Sequence, residues 1–325
     1  MYSNYFGFLK NTIVFILLFV AGVTYTQDID SLSTSKTSRG FPQLRKFNIS
    51  YSYRAPNRYD ANFKGQPKET GKVARNEFLA YGTFKLFDKK KYTLSLTQSY
   101  AHLDLDPDQF SNLTFFDEDI YKFDNYSTSL NFTYKSRLFG KPFIGNATIT
   151  GSTRNFSHID KLSGYISGML IFQRNQNTRY TLGLIARADP SSKIPVFPLV
   201  TYWHRFKNPL YELSVIIPKE LKLRRSETFG GWLGIGSDFN AQSYFIPNIP
   251  NRDGTYENRF NDIQFGLSYD HIFMKHFMFS VNTGYNKVIQ NNIIEVYKPN
   301  NEKLADISYK GNWYARVGVS YLFEW

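Results

Sequence analysis

Trp313-Tyr-Ala-Arg-Val-Gly-Val-Ser-Tyr-Leu-Phe-Glu-Trp325 closes the chain, and every second residue from Trp313 through Ala315, Val317, Val319, Tyr321 and Phe323 to Trp325 is apolar. A period of two puts one set of side chains on each face of a strand. The same alternation recurs upstream. Phe47, Ile49, Tyr51 and Tyr53 interleave with Asn48, Ser50, Ser52 and Arg54. Tyr126, Leu130, Phe132 and Tyr134 interleave with Ser127, Ser129, Asn131 and Thr133, and Ile263, Phe265, Leu267 and Tyr269 with Gln264, Gly266, Ser268 and Asp270. About 13 segments fit this template, and many have the roughly 9–11 residues that a tilted strand needs to cross a bilayer. No segment has a helical period.

A soluble sandwich also alternates, so the second face decides. Here it carries Ser, Thr, Asn, Gly and Gln with few charges, which suits the enclosed polar interior of a barrel better than a water-facing sheet. Aromatic residues gather near segment ends, where interfacial girdles lie. Closure is also demanded physically, because an open sheet edge in lipid leaves unpaired backbone groups at several kcal/mol each. The fold expected is all-β, a closed antiparallel transmembrane barrel. Short polar turns at Asp88–Lys90, Asn175–Asn177, Phe206–Asn208 and Met274–His276 contrast with long polar stretches at 55–75, 103–122, 240–258 and 288–310, read as outer loops. The alternation slips near Pro218-Lys219-Glu220. Bacterial barrels have even strand numbers, so we expect 12 strands, with 14 as the alternative if Leu221–Arg225 forms one more.

Composition sets the compartment. The chain has 325 residues, no cysteine, a formal net charge of +12 and 18% aromatic residues. The absence of cysteine excludes disulfides, thiolate metal sites and thiol nucleophiles. Lys10 precedes an apolar run from Ile13 to Val20, followed by Ala21, Gly22 and the polar Gln27-Asp28-Ile29-Asp30. That is the layout of a secretory signal peptide, too short for the roughly 20 residues of a membrane-anchoring helix. The domains expected are a signal peptide over 1–26, a disordered periplasmic lead-in over 27–44 and the barrel over 45–325. Export places the chain in the bacterial outer membrane. Its partners are then the membrane lipids and the assembly machinery, with small solutes possible and nucleic acid excluded.

The terminal strand, through Tyr321, Phe323 and Trp325, resembles the β-signal read by the outer-membrane assembly machinery. Tyr211-Glu-Leu-Ser-Val-Ile-Ile-Pro218, Leu221-Lys-Leu-Arg-Arg225 and Trp232-Leu-Gly-Ile-Gly-Ser-Asp-Phe239 are similar to segments of a porin-like barrel family of unknown function from Bacteroidota. The resemblance implies location and fold from Phe41 to Trp325, and no catalytic residue.

Candidate chemistry is sparse. The histidines are His102, His158, His204, His271 and His276. None forms an evident hydrolase constellation: Asp270 and His271 are neighbours on a strand and point to opposite faces. Asp104, Asp106 and Asp108 alternate before Asp117-Glu118-Asp119 but lack the glycine and distant glutamate of a calcium loop, and read as a solvated acidic loop. No cofactor is expected. Arg54, Arg187 and Arg316 fall on the polar face with Glu212 and Asp270, and are the candidate lumen-lining residues. Arginines there bias a pore towards anions, and the two carboxylates offset part of that bias. Three functions compete: a passive channel for small solutes, a non-conducting structural or adhesion barrel acting through its outer loops, and a lipid-active hydrolase. The expectation is the channel, and no enzyme.

Overall fold

The computed structural model describes residues 45–65, 67–109, 122–189, 196–246, 249, 254–274, 276–298 and 302–322. The expected signal peptide and lead-in, and Phe323 and Trp325 of the β-signal, lie outside these residues. The strands are β1(Arg45–Phe63), β2(Glu69–Asp88), β3(Tyr92–Gln109), β4(Lys122–Leu138), β5(Lys141–Thr153), β6(Lys161–Asn175), β7(Thr178–Ala188), β8(Val196–Arg205), β9(Tyr211–Ile217), β10(Glu220–Thr228), β11(Gly231–Ile246), β12(Tyr256–Phe273), β13(Phe277–Glu295), β14(Lys303–Tyr309) and β15(Asn312–Leu322). No helix among the described residues is long and apolar enough to cross a membrane.

Each strand pairs antiparallel with its neighbours and the sheet closes on itself. β14 pairs with β1 at Tyr59–Phe63 and with β13 at Asn292–Ile294, while β15 pairs with β1 at Arg45–Arg54 and with β13 at Phe277–Asn286. The two therefore share one position in the wall, and the barrel has 14 strands.

Fourteen replaces the twelve expected. None of the segments that fit the alternation drops out, and Leu221–Arg225, at five residues too short to span by itself, forms a further strand, β10. It runs for nine residues, paired on both sides. Leu221 and Leu223 point outward, 49% and 39% exposed. The charges between them turn inward and are matched: Lys222 Nζ lies 2.8 Å from Asp238, and Arg224 Nη2 lies 2.9 Å from Glu220.

The long polar stretches are a second correction. Most of 55–75, 103–109, 240–246, 256–258 and 288–309 is strand, so β2 and β13 reach 20 and 19 residues while β9 has seven. These extensions reverse the pattern that the lower barrel follows. In lower β1, Ile49, Tyr51 and Tyr53 are exposed outward and Asn48, Ser52 and Arg54 are buried inward. The ladder to β2 shifts between Arg54 and Asn57. Beyond that bulge Tyr59, Ala61 and Phe63 are buried inward and Arg58 and Asn62 are exposed. A bulge displaces one residue and exchanges the faces of the strand. β13 does the same at Ile289, and the β14–β15 junction at Lys310-Gly311. A Cβ on Gly311 would lie 1.9 Å from the Tyr285 hydroxyl, so only glycine leaves room for that ring.

The lower tier is apolar outside and polar inside, the pattern of a wall in lipid. Its outer belt includes Ile149, Ile166, Leu184, Phe265 and Val317, all between 44% and 67% exposed. A contiguous apolar surface of this kind marks contact with a membrane. The upper tier is polar outside and apolar inside, the pattern of a water-soluble barrel. It also has fewer strands. β5–β10 stop early, and β11 crosses to β4, pairing Phe245 with Asp124, while Asn125 Nδ2 donates to the Ser243 carbonyl at 2.7 Å. Above that contact β1–β4, β11–β13 and β14 close into a ring of eight around Ala61, Leu103, Phe123, Tyr244, Phe260 and Ile293, each at most 3% exposed.

Because this cap holds a dry core, truncation within it behaves as in a soluble protein. Ile293→Ala should cost about 2–5 kcal/mol, read by urea unfolding of the refolded barrel in lipid vesicles.

Candidate functional site

The lumen beneath the cap is the candidate site. Following the pairing from strand to strand gives one consistent inward face, and its burial divides the lumen in two. From β12 through β15 to β2, Gln264, Ser268, Asp270, Ser280, Ser320 and Ser52 are all at most 6% exposed. Polar side chains fill that side. From β3 to β8, Thr97, Ser99, Ser127, Ser129, Thr150 and Thr201 are half-buried, with Thr148, Ser167 and Thr181 as buried exceptions. From β3 to β5 these short side chains leave space and many bond sideways to the next strand, whereas from β6 to β8 the same face also carries the larger Tyr165, Met169, Ile185, Phe197, Leu199 and Trp203. Thr83 and Thr97 hydroxyls meet at 3.0 Å, Ser129 and Thr150 at 2.8 Å, and Thr148 Oγ1 donates to Asn131 Oδ1 at 3.0 Å. Such bonds hold the wall rigid without projecting charge into the space.

A charge cluster lies where the two tiers meet. Arg54 on β1 reaches Glu77 on β2 at 3.0 Å and Asp262 on β12 at 3.3 Å; Arg75 on β2 reaches the same Asp262 oxygen at 2.9 Å. The Tyr244 hydroxyl on β11 donates to Glu77, and Asn240 Nδ2 donates to Asp262 Oδ1 at 3.1 Å. The Arg75 guanidinium also sits 4.5 Å from the ring centre of Phe260, on the floor of the apolar core. Two positive and two negative groups balance. Each of the four side chains is at most 7% exposed.

Of the sequence candidates, Arg54 belongs to this cluster. Arg316 is half-buried on β15, the strand next to β1, opposite Ser52 and within electrostatic reach of Glu77. Asp270 is buried lower down, accepting from Ser280 Oγ at 2.5 Å with Arg45 at 3.6 Å. Glu212 is buried between Arg205 and Arg224 in the pairing register. Arg187 is exposed at the upper end of β7, stacked 4.8 Å from the Phe197 ring. The five are thus spread over the interior rather than gathered at one point. Tyr321, the described member of the terminal signal, packs against Phe277 with ring centres 5.3 Å apart and against Phe47 at 6.2 Å.

Sequence reading missed Arg75, Glu77, Tyr244 and Asp262. Arg75 and Tyr244 fall in the stretches 55–75 and 240–258, which the sequence reads as outer loops. The inward alternation of Leu79 and Tyr81 continues back through Glu77, Arg75 and Val73, and that extension was the available signal. The histidines are dispersed. His102 Nδ1 and the Tyr100 hydroxyl both bond Asp124 at 2.8 Å on the outer surface, and His204 Nδ1 bonds Thr178 at 2.9 Å. In the loop after β5, Ser157 Oγ meets His158 Nδ1 at 2.8 Å and His158 Nε2 meets Asp160 at 3.0 Å. Asp160 is itself occupied with the loop, accepting from the Arg154 backbone N–H at 2.8 Å and from Thr153 Oγ1 at 3.2 Å. That arrangement reads as a loop clasp. No group of three or more potential metal ligands occurs among the described residues.

No protein-family model matches the chain, and no curated protein matches it. Solved structures similar to it include an outer membrane channel from Pseudomonas putida F1, at 9% identity over 91% of this chain and 100% of that one, with a TM-score of 0.38. The transport unit of the autotransporter AIDA-I from Escherichia coli matches at 10% identity over 95% and 97%, with a TM-score of 0.32. The toluene transporter TodX from P. putida matches at 8% identity over 88% and 91%, with a TM-score of 0.29.

The charge cluster makes a direct prediction. Removing one member of a buried ion group strands the others, at a cost of about 3–5 kcal/mol. Asp262→Ala, which deprives Arg54 and Arg75 of their shared carboxylate, should destabilise the refolded barrel by that amount in urea titration. Arg187→Ala, at an exposed position, should change stability by less than about 0.5 kcal/mol.

Proposed function

We propose that this chain is a passive, porin-like channel for small solutes in a Bacteroidota-type outer membrane, acting without catalysis or cofactor. The observation that carries the reading is the arc of half-buried hydroxyl side chains from β3 to β5, facing the interior of a 14-stranded wall. A lumen of that strand number has more room than its side chains fill, and small neutral polar groups are what a water-filled path needs. The path would rise past this arc and leave over the low rim of β5–β10, since the cap is built from β1–β4 and β11–β14. Arg187 and Arg316 would border it and give a modest preference for anions. Arg54, with its charge matched by Glu77 and Asp262, would act on stability rather than on selectivity, and Glu212 and Asp270 would temper the positive potential.

The packed cap favours a second reading. If the cap and the chain outside the described residues together close the lumen, the protein is a non-conducting barrel whose outer loops make its contacts.

Planar-bilayer recording of the refolded chain from Gln27 onward separates the two. The channel reading predicts stable unitary steps, with an anion preference that weakens in Arg187→Gln/Arg316→Gln. A protein that shows the gel-mobility shift of a folded barrel and never conducts would sink it in favour of the second reading.

A further inference from the structure

At the level where the tiers meet, the wall opens between β13 and the β14–β15 pair. β13 pairs with β15 as far as Asn286 and Asn312, and resumes with β14 only at Asn292 and Asp306. Between those points the two strands separate around a cavity of about 520 Å³. Lys287, Asn292, Lys303 and Asp306 line its polar side, and Ile289, 56% exposed, stands at its edge. Asn292 is completely buried, and both its amide nitrogen and its amide oxygen lack a hydrogen-bond partner among the described residues. A buried amide left unmatched costs about 1–3 kcal/mol, and a polar group entering the cavity beside Asn292 would recover that cost.

Height and charge indicate what enters. Directly below lies the outward pair Tyr285 and Trp313, ring centres 6.3 Å apart and 46% and 68% exposed. Such a pair marks the interface of a bilayer. Backbone groups without ladder partners are not tolerated in hydrocarbon, which also puts the gap at or above the headgroups. Lys287 is exposed, its Nζ donating to the Tyr309 carbonyl at 2.9 Å, and Lys303 lies 2.7 Å from Asp306. Exposed Arg58 and Lys310 adjoin them, the Lys310 N–H donating to the Arg58 carbonyl. Cations exceed carboxylates, an amide donor is free, and the floor is apolar. We propose that the cleft between β13 and β14 binds the phosphate-bearing headgroup of a lipid in the outer leaflet. Lys287 and Lys303 would hold the phosphate, Asn292 a polar group beside it, and Ile289 the start of the acyl chain. This site does not depend on whether the lumen conducts.

The test uses the refolded full chain in neutral detergent, titrated in parallel with a short-chain phosphatidic acid and with inorganic phosphate. A lysine near an anionic headgroup contributes about fivefold in affinity. Lys287→Gln/Lys303→Gln should therefore bind the lipid about 25-fold more weakly, while Lys89→Gln/Lys90→Gln, at a turn on the opposite rim, should bind it as the parent does. Asn292→Leu should also weaken it. If that buried change prevents folding, the lysine pair, whose heads stand at the cleft mouth, decides alone. Equal lipid affinity in the lysine variant and the parent would overturn the site. Inorganic phosphate binding as tightly as the lipid would overturn the lipid as occupant and make the cleft a site for a soluble anion.

Discussion

The structure depends on four charges that cancel. Arg54, Arg75, Glu77 and Asp262 come from β1, β2 and β12, with Tyr244 of β11 bonded to one of the carboxylates. Strands from opposite sides of the lumen could not approach at this height with a bare ion of either sign between them, because an isolated buried charge is far too costly. With two guanidinium groups facing two carboxylates, the approach becomes tolerable. β11 can then leave β10 and cross to β4. The cluster therefore does more to choose this arrangement than to stabilise the fold as a whole, in keeping with the small net value of buried ion pairs relative to an apolar filling.

Everything above that level follows soluble-protein rules and everything below it follows lipid rules. β3 makes the exchange without a bulge, with Tyr92, Leu94 and Leu96 outward below and Ala101 and Leu103 inward above. In β1, in β13 and at the β14–β15 junction a bulge or break turns the strand over, so its apolar face passes from outside to inside. The three sites are neighbours in the wall, so the boundary is a local band. On the other side of the barrel no exchange is needed, because β5–β10 stop before the boundary. The result is a tall, capped half and a low half. Of the half-buried hydroxyl residues, Thr150 and Thr201 line the low half, and Thr97, Ser99, Ser127 and Ser129 lie on β3 and β4 beneath the cap. The tops of β6 and β12 are tied by Lys161, whose Nζ lies 3.2 Å from Glu257 and 2.9 Å from Asp189, which fixes the cap over the lumen.

Much of this was legible in the sequence. Period-two alternation with a neutral polar second face identified an antiparallel transmembrane barrel, and the short polar turns fall between β2 and β3, β6 and β7, β8 and β9, and β12 and β13, all at one rim. The sequence reading stopped where the alternation is interrupted at Ala55-Pro56-Asn57. Residues such as Arg58, Asp60 and Asn62 look like loop because their side chains are polar. The apolar Tyr59, Ala61 and Phe63 keep the odd numbering of Ile49, Tyr51 and Tyr53, and the bulge between Arg54 and Asn57 turns them inward instead of outward. β10 was undercounted for a different reason: Leu221–Arg225 is too short to span by itself, and the neutrality of Lys222 and Arg224 depends on Glu220 and Asp238, of which Asp238 lies on the following strand. Sequence places the candidate arginines on the polar face, but which of them stand bare and which are matched is decided by pairing across the barrel, and no local pattern records that.

The central claim is a wet lumen below a dry cap, and the chain's lack of cysteine gives it a clean test. Single cysteines would be placed at Ser129 and Thr97 in the half-buried arc, and at Ala61 and Ala305 in the cap, each of the latter 1% exposed. The refolded full chain would then be treated with a small, charged, membrane-impermeant thiol reagent. The account predicts that Ser129→Cys and Thr97→Cys are modified readily while Ala61→Cys and Ala305→Cys stay protected until the barrel is unfolded. Rapid modification of the cap positions, or protection of the lumen positions in the folded protein, would contradict it.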